Sequence, residues 1–264
     1  MEKAGFFATV GACLAACDVE EKLALTRAAA LAWRRGELML EDDAPLPPPA
    51  GRPARPELVP PRELVERRTD SPEGRAVLFH AITHIEFTAI NLALDHACRF
   101  HGLPAEYYGD WLRIAEEEVD HFEMLRGHLR GLDYDYGDFP AHGGLWQMAE
   151  KTAHDALARM ALVPRGLEAR GLDVNPGIKA KLLACGDTEG AALLDVILRD
   201  EVGHVAAGDR WFRYLCAARG LEPEAAYREL IARHLKGGLR GPFHREARLA
   251  AGFSANELTQ LEHL

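Results

Sequence analysis

The feature that most constrains this chain is a short glutamate–histidine pattern that occurs twice. The two copies are Glu118-x-x-His121 and Glu201-x-x-His204, and no other E-x-x-H is present among the 264 residues. Both copies lie in stretches whose apolar residues recur at helical spacing. Three residues turn an α-helix by about 300°, so the glutamate and histidine of each copy share one helix face, one turn apart.

A lone glutamate precedes each motif at nearly the same distance. Glu86 lies 32 residues before Glu118, and Glu168 lies 33 residues before Glu201. Four carboxylates and two imidazoles from four helices are the ligand set of a carboxylate-bridged dinuclear metal site. The expected metal ligands are Glu86, Glu118, His121, Glu168, Glu201 and His204. Glu118 and Glu201 are the candidates for bridging both metals.

Four long helices are predicted from residue 71 onward, at residues 72–101, 104–131, 144–170 and 187–219. The link between the first two is so short that they must form an antiparallel hairpin. The next link, residues 132–143, can extend to about 40 Å, which lets the second and third helices run parallel. The predicted fold is all-α: a four-helix bundle with a long crossover, flanked by N-terminal and C-terminal helices.

The predicted ligands lie on apolar helix faces. The face that carries Glu201 also carries Leu194, Ile197 and Val205. A carboxylate in such a stripe is costly to bury unless a cation neutralises it. A single E-x-x-H would more often be an ordinary solvated pair, so it is the matched duplication that favours a metal site.

Each motif glutamate follows another acidic residue, Glu117 or Asp200. The second ring nitrogen of a metal-bound histidine usually meets an outer carboxylate. We therefore predict that Asp200 supports His121 and that Glu117 supports His204. The alternative is that both acids are simply exposed.

Two prolines bear on the third helix. Pro164 lies four residues before Glu168 and lacks a backbone N–H, so it either bends the helix and opens a pocket beside the metals or breaks the helix. The segment Asn175-Pro176-Gly177 is expected to begin a separate short helix that reaches Cys185.

The chain divides by composition into four segments. Residues 1–43 predict two helices, the second capped by Asp18, and residues 44–70 are rich in proline. That segment is either a loose linker or a strap packed on the body, and its apolar residues favour the strap. The bundle is assigned to residues 71–220 and a helical tail to 221–264, where Ser254 and Glu257 form a capping-box pattern.

Bulk properties exclude some classes of protein. The net charge of −10 argues against nucleic-acid binding as the main role of the whole surface. The five cysteines form no C-x-x-C, which is typical of free thiols in a reducing cytoplasm. No apolar run is expected to approach the ~18 residues that a membrane span needs. The chain is therefore expected to be cytoplasmic, with no membrane partner.

Histidines outside the motifs are expected to have structural roles. His80 and His84 point away from the face of Glu86, so hydrogen bonding or exposure is the expected state of both. The aromatic residues between Tyr134 and Phe139 are expected to pack the crossover onto the helices.

Several segments resemble ferritin-like proteins. They are His84–Glu86, Tyr136–His142, Ala161–Gly171 and Arg199–His204. Over residues 72–220 the chain resembles the ferritin-like superfamily, and over nearly its whole length it resembles a bacterial ferritin-like family of the dinuclear-iron carboxylate type. That family implies a fold and a metal site but no particular reaction. A more distant likeness is to the dinuclear-iron hydroxylase that acts on a modified adenosine in tRNA.

Departures from other ferritin-like proteins narrow the expectations. Rubrerythrins carry a C-x-x-C pair for an additional iron, which this chain lacks. The radical-generating subunits of ribonucleotide reductase place a tyrosine four residues after the first motif histidine, where this chain has Leu125. Cage ferritins are shorter and lack a proline-rich extension.

The resemblance implies two Fe ions, with Mn or a mixed Mn/Fe pair as alternatives, because carboxylate-rich ligands suit both metals. The expected protein is an O₂-activating oxidoreductase or hydroxylase that acts on an unknown small or modified substrate and draws on an electron donor. tRNA remains open as a partner, and a homodimer is compatible with the pattern. Two alternatives stay open: a metal-handling protein (a ferroxidase, iron store or sensor), and a bundle that has kept its ligands without turnover.

Overall fold

The computed structural model of the protein describes residues 3–42, 44–64 and 68–262. Residues 1–2, 43, 65–67 and 263–264, which belong to the predicted extension, strap and tail, lie outside the described residues. The described chain is mostly α-helical with almost no sheet, which confirms the predicted all-α class. It divides into two compact units, Met1–Gly143 and Gly144–Leu264, and the division falls where the predicted crossover ends.

The first unit combines a helical hairpin with two N-terminal helices. Its elements are β1 Ala4–Gly5, α1 Phe6–Ala15, α2 Val19–Arg34, β2 Leu38–Met39, a 3₁₀ turn Pro61–Glu63, α3 Pro72–Arg99 and α4 Ala105–Gly131. The two short strands pair in parallel, with Ala4 opposite Leu38. α3 and α4 pack against each other, α1 packs on α3, and α2 packs on α4.

Local capping explains where these helices begin. The Asp18 side chain accepts a hydrogen bond from Glu21 N at 3.0 Å, and the Ser71 hydroxyl accepts one from Gly74 N at 3.1 Å. Pro72 occupies the first helical position of α3, where its missing N–H costs nothing. The predicted starts of α2 and α3 are thereby confirmed.

Helix α3 forms the core of the first unit. By length and composition it could cross a membrane, but 83% of its 18-residue window is buried inside the protein. Core helices of soluble proteins pass the same test, so this is weak evidence for a membrane span. Glu86 and Asp95 are among the charged residues that interrupt its apolar sequence.

The proline-rich segment is extended and bonded to the body of the first unit. Gly51 N donates to Leu14 O at 2.8 Å, at the end of α1. Further on, Val59 N donates to Ala141 O at 2.8 Å and Ala141 N donates to Glu57 O at 2.9 Å. Over residues 44–64 the segment is therefore a packed strap rather than a loose linker.

The second unit consists of consecutive helices, most of them joined by short links. They are α5 Gly144–Lys151, α6 Ala156–Leu162, a π-helix Val163–Glu168, α7 Ala169–Ala184, α8 Thr188–Ala218, α9 Pro223–His234, α10 Arg245–Ala250 and α11 Ala255–Leu261. The predicted capping box at Ser254 and Glu257 is present at the start of α11. Helix α10 was not predicted, because its cap is the His244 side chain, which accepts from Ala247 N at 3.1 Å.

The predicted single helix over residues 144–170 is wrong. α5 ends at Lys151, and a new helix begins after Asp155, whose side chain accepts from Leu157 N at 3.0 Å. The Thr152 hydroxyl donates to Met148 O at 2.8 Å and so satisfies a carbonyl at the end of α5. The Asp155 cap and the Thr152 hydrogen bond stabilise a break between the two helices, so the backbone hydrogen bonds of one continuous helix are not formed here.

Pro164 neither breaks the third helix nor gives it a simple bend. It lies in the π-helix Val163–Glu168, whose wider turn accommodates the missing N–H. The predicted separate helix from Asn175 to Cys185 is also wrong, because α7 continues through Pro176. Packing of α7 on α8 outweighs the hydrogen bond lost at that proline.

Candidate metal centre

The hairpin of the first unit brings three predicted ligands together. Glu86 of α3 is 3% exposed, and Glu118 and His121 of α4 are 2% and 1% exposed. One ligand atom from each lies within 4.8 Å of those of the others. His121 Nδ1 lies 3.1 Å from Glu118 Oε2 and 3.8 Å from Glu86 Oε2. Two carboxylates and one imidazole therefore share a buried point.

The charges of these three residues favour the binding of a cation. Burial by itself would lower the pKa of His121, but the adjoining Glu118 and Glu86 carboxylates outweigh it and raise that pKa to about 11. With no metal bound, the imidazolium offsets one of the two buried negative charges. A divalent cation would replace this proton and neutralise both carboxylates.

Aromatic rings surround this part of the first unit. Phe87 and Phe122, which follow Glu86 and His121 in sequence, are 2% and 0% exposed and lie 5.6 Å apart between ring centroids. Tyr136 of the crossover meets Phe122 edge to face at 5.1 Å. These buried rings make the core of the first unit apolar next to the helix positions of Glu86 and His121, and electrostatic interactions are stronger in such low-dielectric surroundings than in water.

His80 and His84 have the structural roles that their positions predicted. Gly137 N donates to His80 Nε2 at 3.0 Å, and His84 Nδ1 lies 3.0 Å from Tyr136 Oη. The Tyr136 ring stacks near that of His80, with 5.6 Å between centroids. These contacts fasten the crossover to α3, as predicted for its aromatic residues.

Acid is expected to weaken this fastening. Burial lowers the pKa of His80 to about 4, although the negative charge of Asp138 opposes the shift. The unfolded value is about 6.5, so the unfolded chain takes up a proton first, and stability is complete above pH ~6.5 and falls toward pH ~4. Protonated His80 also cannot accept from Gly137 N. The check is denaturant unfolding at pH 7 and at pH 5. The loss of unfolding free energy between these two pH values should be up to about 2 kcal/mol smaller in His80→Gln than in wild type. An equal loss in both proteins would contradict this assignment.

The second unit presents the other motif on α8. His204 is 1% exposed, and its Nδ1 lies 3.7 Å from Glu201 Oε1. Glu201 Oε2 is buried and has no hydrogen-bond partner in the described part of the chain. A buried carboxylate oxygen without a partner is costly, and a cation would relieve that cost. In the second unit, Glu201 is therefore a candidate metal ligand beside His204.

The remaining predicted ligands lie in the second unit. Glu168 is the last residue of the π-helix and is half-buried. His204 lies one turn after Glu201 on the same face of α8, as the motif requires. Both remain predicted ligands.

The two predicted supporting acids contact neighbouring arginines. Arg113 Nη1 donates to Glu117 at 2.6 Å, and Arg199 Nε donates to Asp200 at 2.8 Å. Glu117 and Asp200 are half-buried rather than fully exposed. The proposed support of His121 by Asp200 and of His204 by Glu117 stays a prediction.

Sequence reasoning did not foresee a fully buried arginine close to Glu168. Arg165 lies on the π-helix and contacts aromatic and acidic side chains. Those partners lie on helices and loops far along the chain, so no local motif connects them. Pro164, which lies inside a predicted helix, is the sequence signal that this segment is unusual, and it does not point to Arg165.

Comparisons with known proteins extend over most of the chain. A family model described as "Protein of unknown function (DUF455)" matches residues 15–259. An "Uncharacterized protein" of Haemophilus influenzae is 46% identical over 216 residues, which cover 79% of this chain and 75% of that protein. No solved structure matches the chain. The chain belongs to the DUF455 family of proteins of unknown function.

Proposed function

We propose that this protein is a dinuclear metal protein of the carboxylate–histidine type, with iron as its metal. The observation that carries the proposal is the buried group formed by Glu86, Glu118 and His121. In the proposal Glu168, Glu201 and His204 complete the ligand set. The ferritin-like resemblance and the duplicated E-x-x-H pattern support the proposal that both motifs contribute ligands to one dinuclear site.

The donor atoms fit such ions. Carboxylate oxygens and imidazole nitrogens suit Fe(II) and Mn(II), whereas softer ions prefer thiolates. The five cysteines are free thiols, and none belongs to the buried group. The unpartnered Glu201 Oε2 supplies one more oxygen donor.

We propose oxidation of an organic substrate as the reaction. Two iron ions, when bound, would supply the capacity to reduce O₂. Glu118 and Glu201 would be among the residues that hold the ions, and the burial of Glu86, Glu118 and His121 would keep bulk water away from the ligands of the first unit. An electron donor completes the proposed cycle, and the free thiols fit a reducing cytoplasm.

Metal binding is expected to release protons. The pKa of His121 is raised to about 11 by its carboxylate neighbours despite burial, so the metal-free protein carries a proton there at pH 7. A metal ion must displace that proton, and affinity should therefore fall as the pH is lowered. Calorimetric Mn(II) titrations in buffers of different ionisation enthalpy should give about one proton released per protein or more. Binding without release would contradict the assignment of His121.

The test of the proposed function is metal analysis followed by oxygen exposure. Protein purified without added metal is analysed for its elements, then titrated anaerobically with Fe(II) and exposed to O₂. About two irons per chain, O₂ consumption and an oxo-bridged ferric absorption band are expected. Iron uptake with assembly into a cage, or with release of iron as the end point, would favour the metal-handling alternative. No transition metal under either condition would overturn the proposal.

A further inference from the structure

A fully buried arginine ties the π-helix to two other helices of the second unit. Arg165 lies three residues before Glu168 and is 0% exposed. Its Nη2 donates to Glu257 Oε1 of α11 at 2.8 Å. Its Nε forms an ion pair with Asp209 Oδ1 of α8 at 2.8 Å, although the two atoms lack the alignment of a hydrogen bond.

Three aromatic rings enclose the same guanidinium. The Arg165 Cζ lies 4.2 Å from the ring centroid of Tyr227, 4.5 Å from Phe253 and 4.8 Å from Phe212. Desolvated contacts of this kind are the stronger form of cation–π interaction. Tyr227 Oη also donates to Arg165 O at 3.0 Å, so the main chain of the π-helix is held as well.

The charges around this arginine are already balanced. Arg213 Nε donates to Asp209 Oδ2 at 2.8 Å, and Arg213 Nη2 donates to Glu257 Oε2 at 3.1 Å. Two guanidinium groups therefore face two carboxylates. With no charge in excess, the cluster fits a role in holding the π-helix better than a role in binding a further ion.

Close packing fixes the same π-helix at the residue before Arg165. A Cβ atom added to Gly208 of α8 would lie 2.6 Å from Pro164 Cγ. The proline ring cannot rotate away as a flexible side chain would, so only glycine permits this approach. The π-helix is therefore held through Pro164 and Arg165, just before it ends at Glu168.

We propose that Arg165 is the positioning residue for Glu168. By fixing the widened turn against α8 and α11, it sets the direction in which Glu168 presents its carboxylate to a metal ion. Arg165 itself is assigned no contact with metal or substrate. The inference rests on the proposed function, because it requires Glu168 to be a ligand.

A double-mutant cycle on the full chain tests this role. Arg165→Lys, Glu168→Gln and the double variant are titrated anaerobically with Fe(II), well below their melting temperatures. Arg165→Lys should weaken Fe(II) binding by about 10–100-fold, the range seen when groups that orient metal ligands are lost. Glu168→Gln removes a proposed ligand itself and should weaken binding on the order of 100-fold or more. The double variant should bind Fe(II) no more weakly than whichever single variant has the lower Fe(II) affinity, because both changes act through one carboxylate. Additive losses, or unchanged binding by Arg165→Lys, would overturn the inference.

Two further variants separate positioning from general stability. Arg159→Lys changes another buried arginine of the second unit, one that donates to the Thr152 hydroxyl at 2.8 Å. It should lower the melting temperature and leave Fe(II) affinity within about threefold of wild type. Gly208→Ala pushes on Pro164 and should weaken Fe(II) binding as Arg165→Lys does, so it carries the test if Arg165→Lys fails to fold. Wild-type protein that binds no Fe(II) would overturn the proposed function itself, and this inference with it.

Discussion

Replacing Glu118 by glutamine is expected to remove stoichiometric metal from the protein. Glu118 is 2% exposed and lies 3.1 Å from His121 Nδ1, at the centre of the buried group. Glutamine keeps the shape of the side chain but removes the negative charge and a candidate bridging oxygen. Loss of a direct ligand should exceed the loss of an outer support, so Fe(II) affinity should fall on the order of 100-fold or more.

The matched control is Asp120→Asn, two residues further along the same helix. Asp120 pairs with Arg27 on the surface, and its side chain is 59% exposed. The variant removes the same charge from α4 without touching the buried group, so about two irons per chain should remain. Metal content measured after anaerobic Fe(II) loading and gel filtration distinguishes the two variants. Full metal content in Glu118→Gln would remove Glu118 from the ligand set.

Glu201→Gln asks whether the second unit contributes to the same centre. The observation that makes Glu201 a candidate metal ligand is its buried Oε2, which has no hydrogen-bond partner among the described residues. If the two motifs share one dinuclear site, this variant should lose metal to a similar extent as Glu118→Gln. Thermal unfolding gives a second readout, because a ligand at 100 times its Kd stabilises the folded state by about 2.7 kcal/mol. Wild type should melt at a higher temperature with Fe(II), and both variants should lose that increase.

The parts of the fold that sequence predicted are those fixed by local interactions. Asp18 and Ser71 mark the starts of α2 and α3, because the side chain of each accepts a hydrogen bond from the backbone N–H three residues later. The Glu118–His121 motif needs only the helical repeat, and the short link between α3 and α4 brings Glu86 to it. These relations depend on spacing alone, which the sequence records directly.

The parts that sequence missed depend on contacts far along the chain. Arg165 meets Glu257, 92 residues later, so nothing in the neighbourhood of Pro164 indicates a π-helix. A π-helix adds a residue to each turn, which changes where every later side chain points. The direction of Glu168 therefore could not be derived from the period of an ordinary helix, although its residue type and spacing from Glu201 could suggest a ligand.

Replacing Gly51 by alanine is expected to dislodge the proline-rich strap. An added Cβ would lie 2.6 Å from the Ala16 carbonyl carbon and closer still to the carbonyl oxygens of Ala15 and Ala16. Backbone atoms at the end of α1 cannot swing aside, so the strap must shift. That shift would break the bonds from Gly51 N to Leu14 O at 2.8 Å and from Asn91 Nδ2 to Gly51 O at 3.4 Å.

The expected cost is about 2–4 kcal/mol, which combines overpacking with lost buried hydrogen bonds. For a chain of this size it corresponds to a fall in melting temperature of roughly 5–10 °C. Gly127→Ala is the matched control: Gly127 is exposed within α4, and an added Cβ meets nothing within 4 Å. That variant should be more stable than wild type by up to about 1 kcal/mol, since alanine is the better helix former. A Gly51→Ala protein that melts with wild type would mean that the strap does not hold α1 as described, and its bonds to Ala141 in the crossover would then have to hold the strap alone.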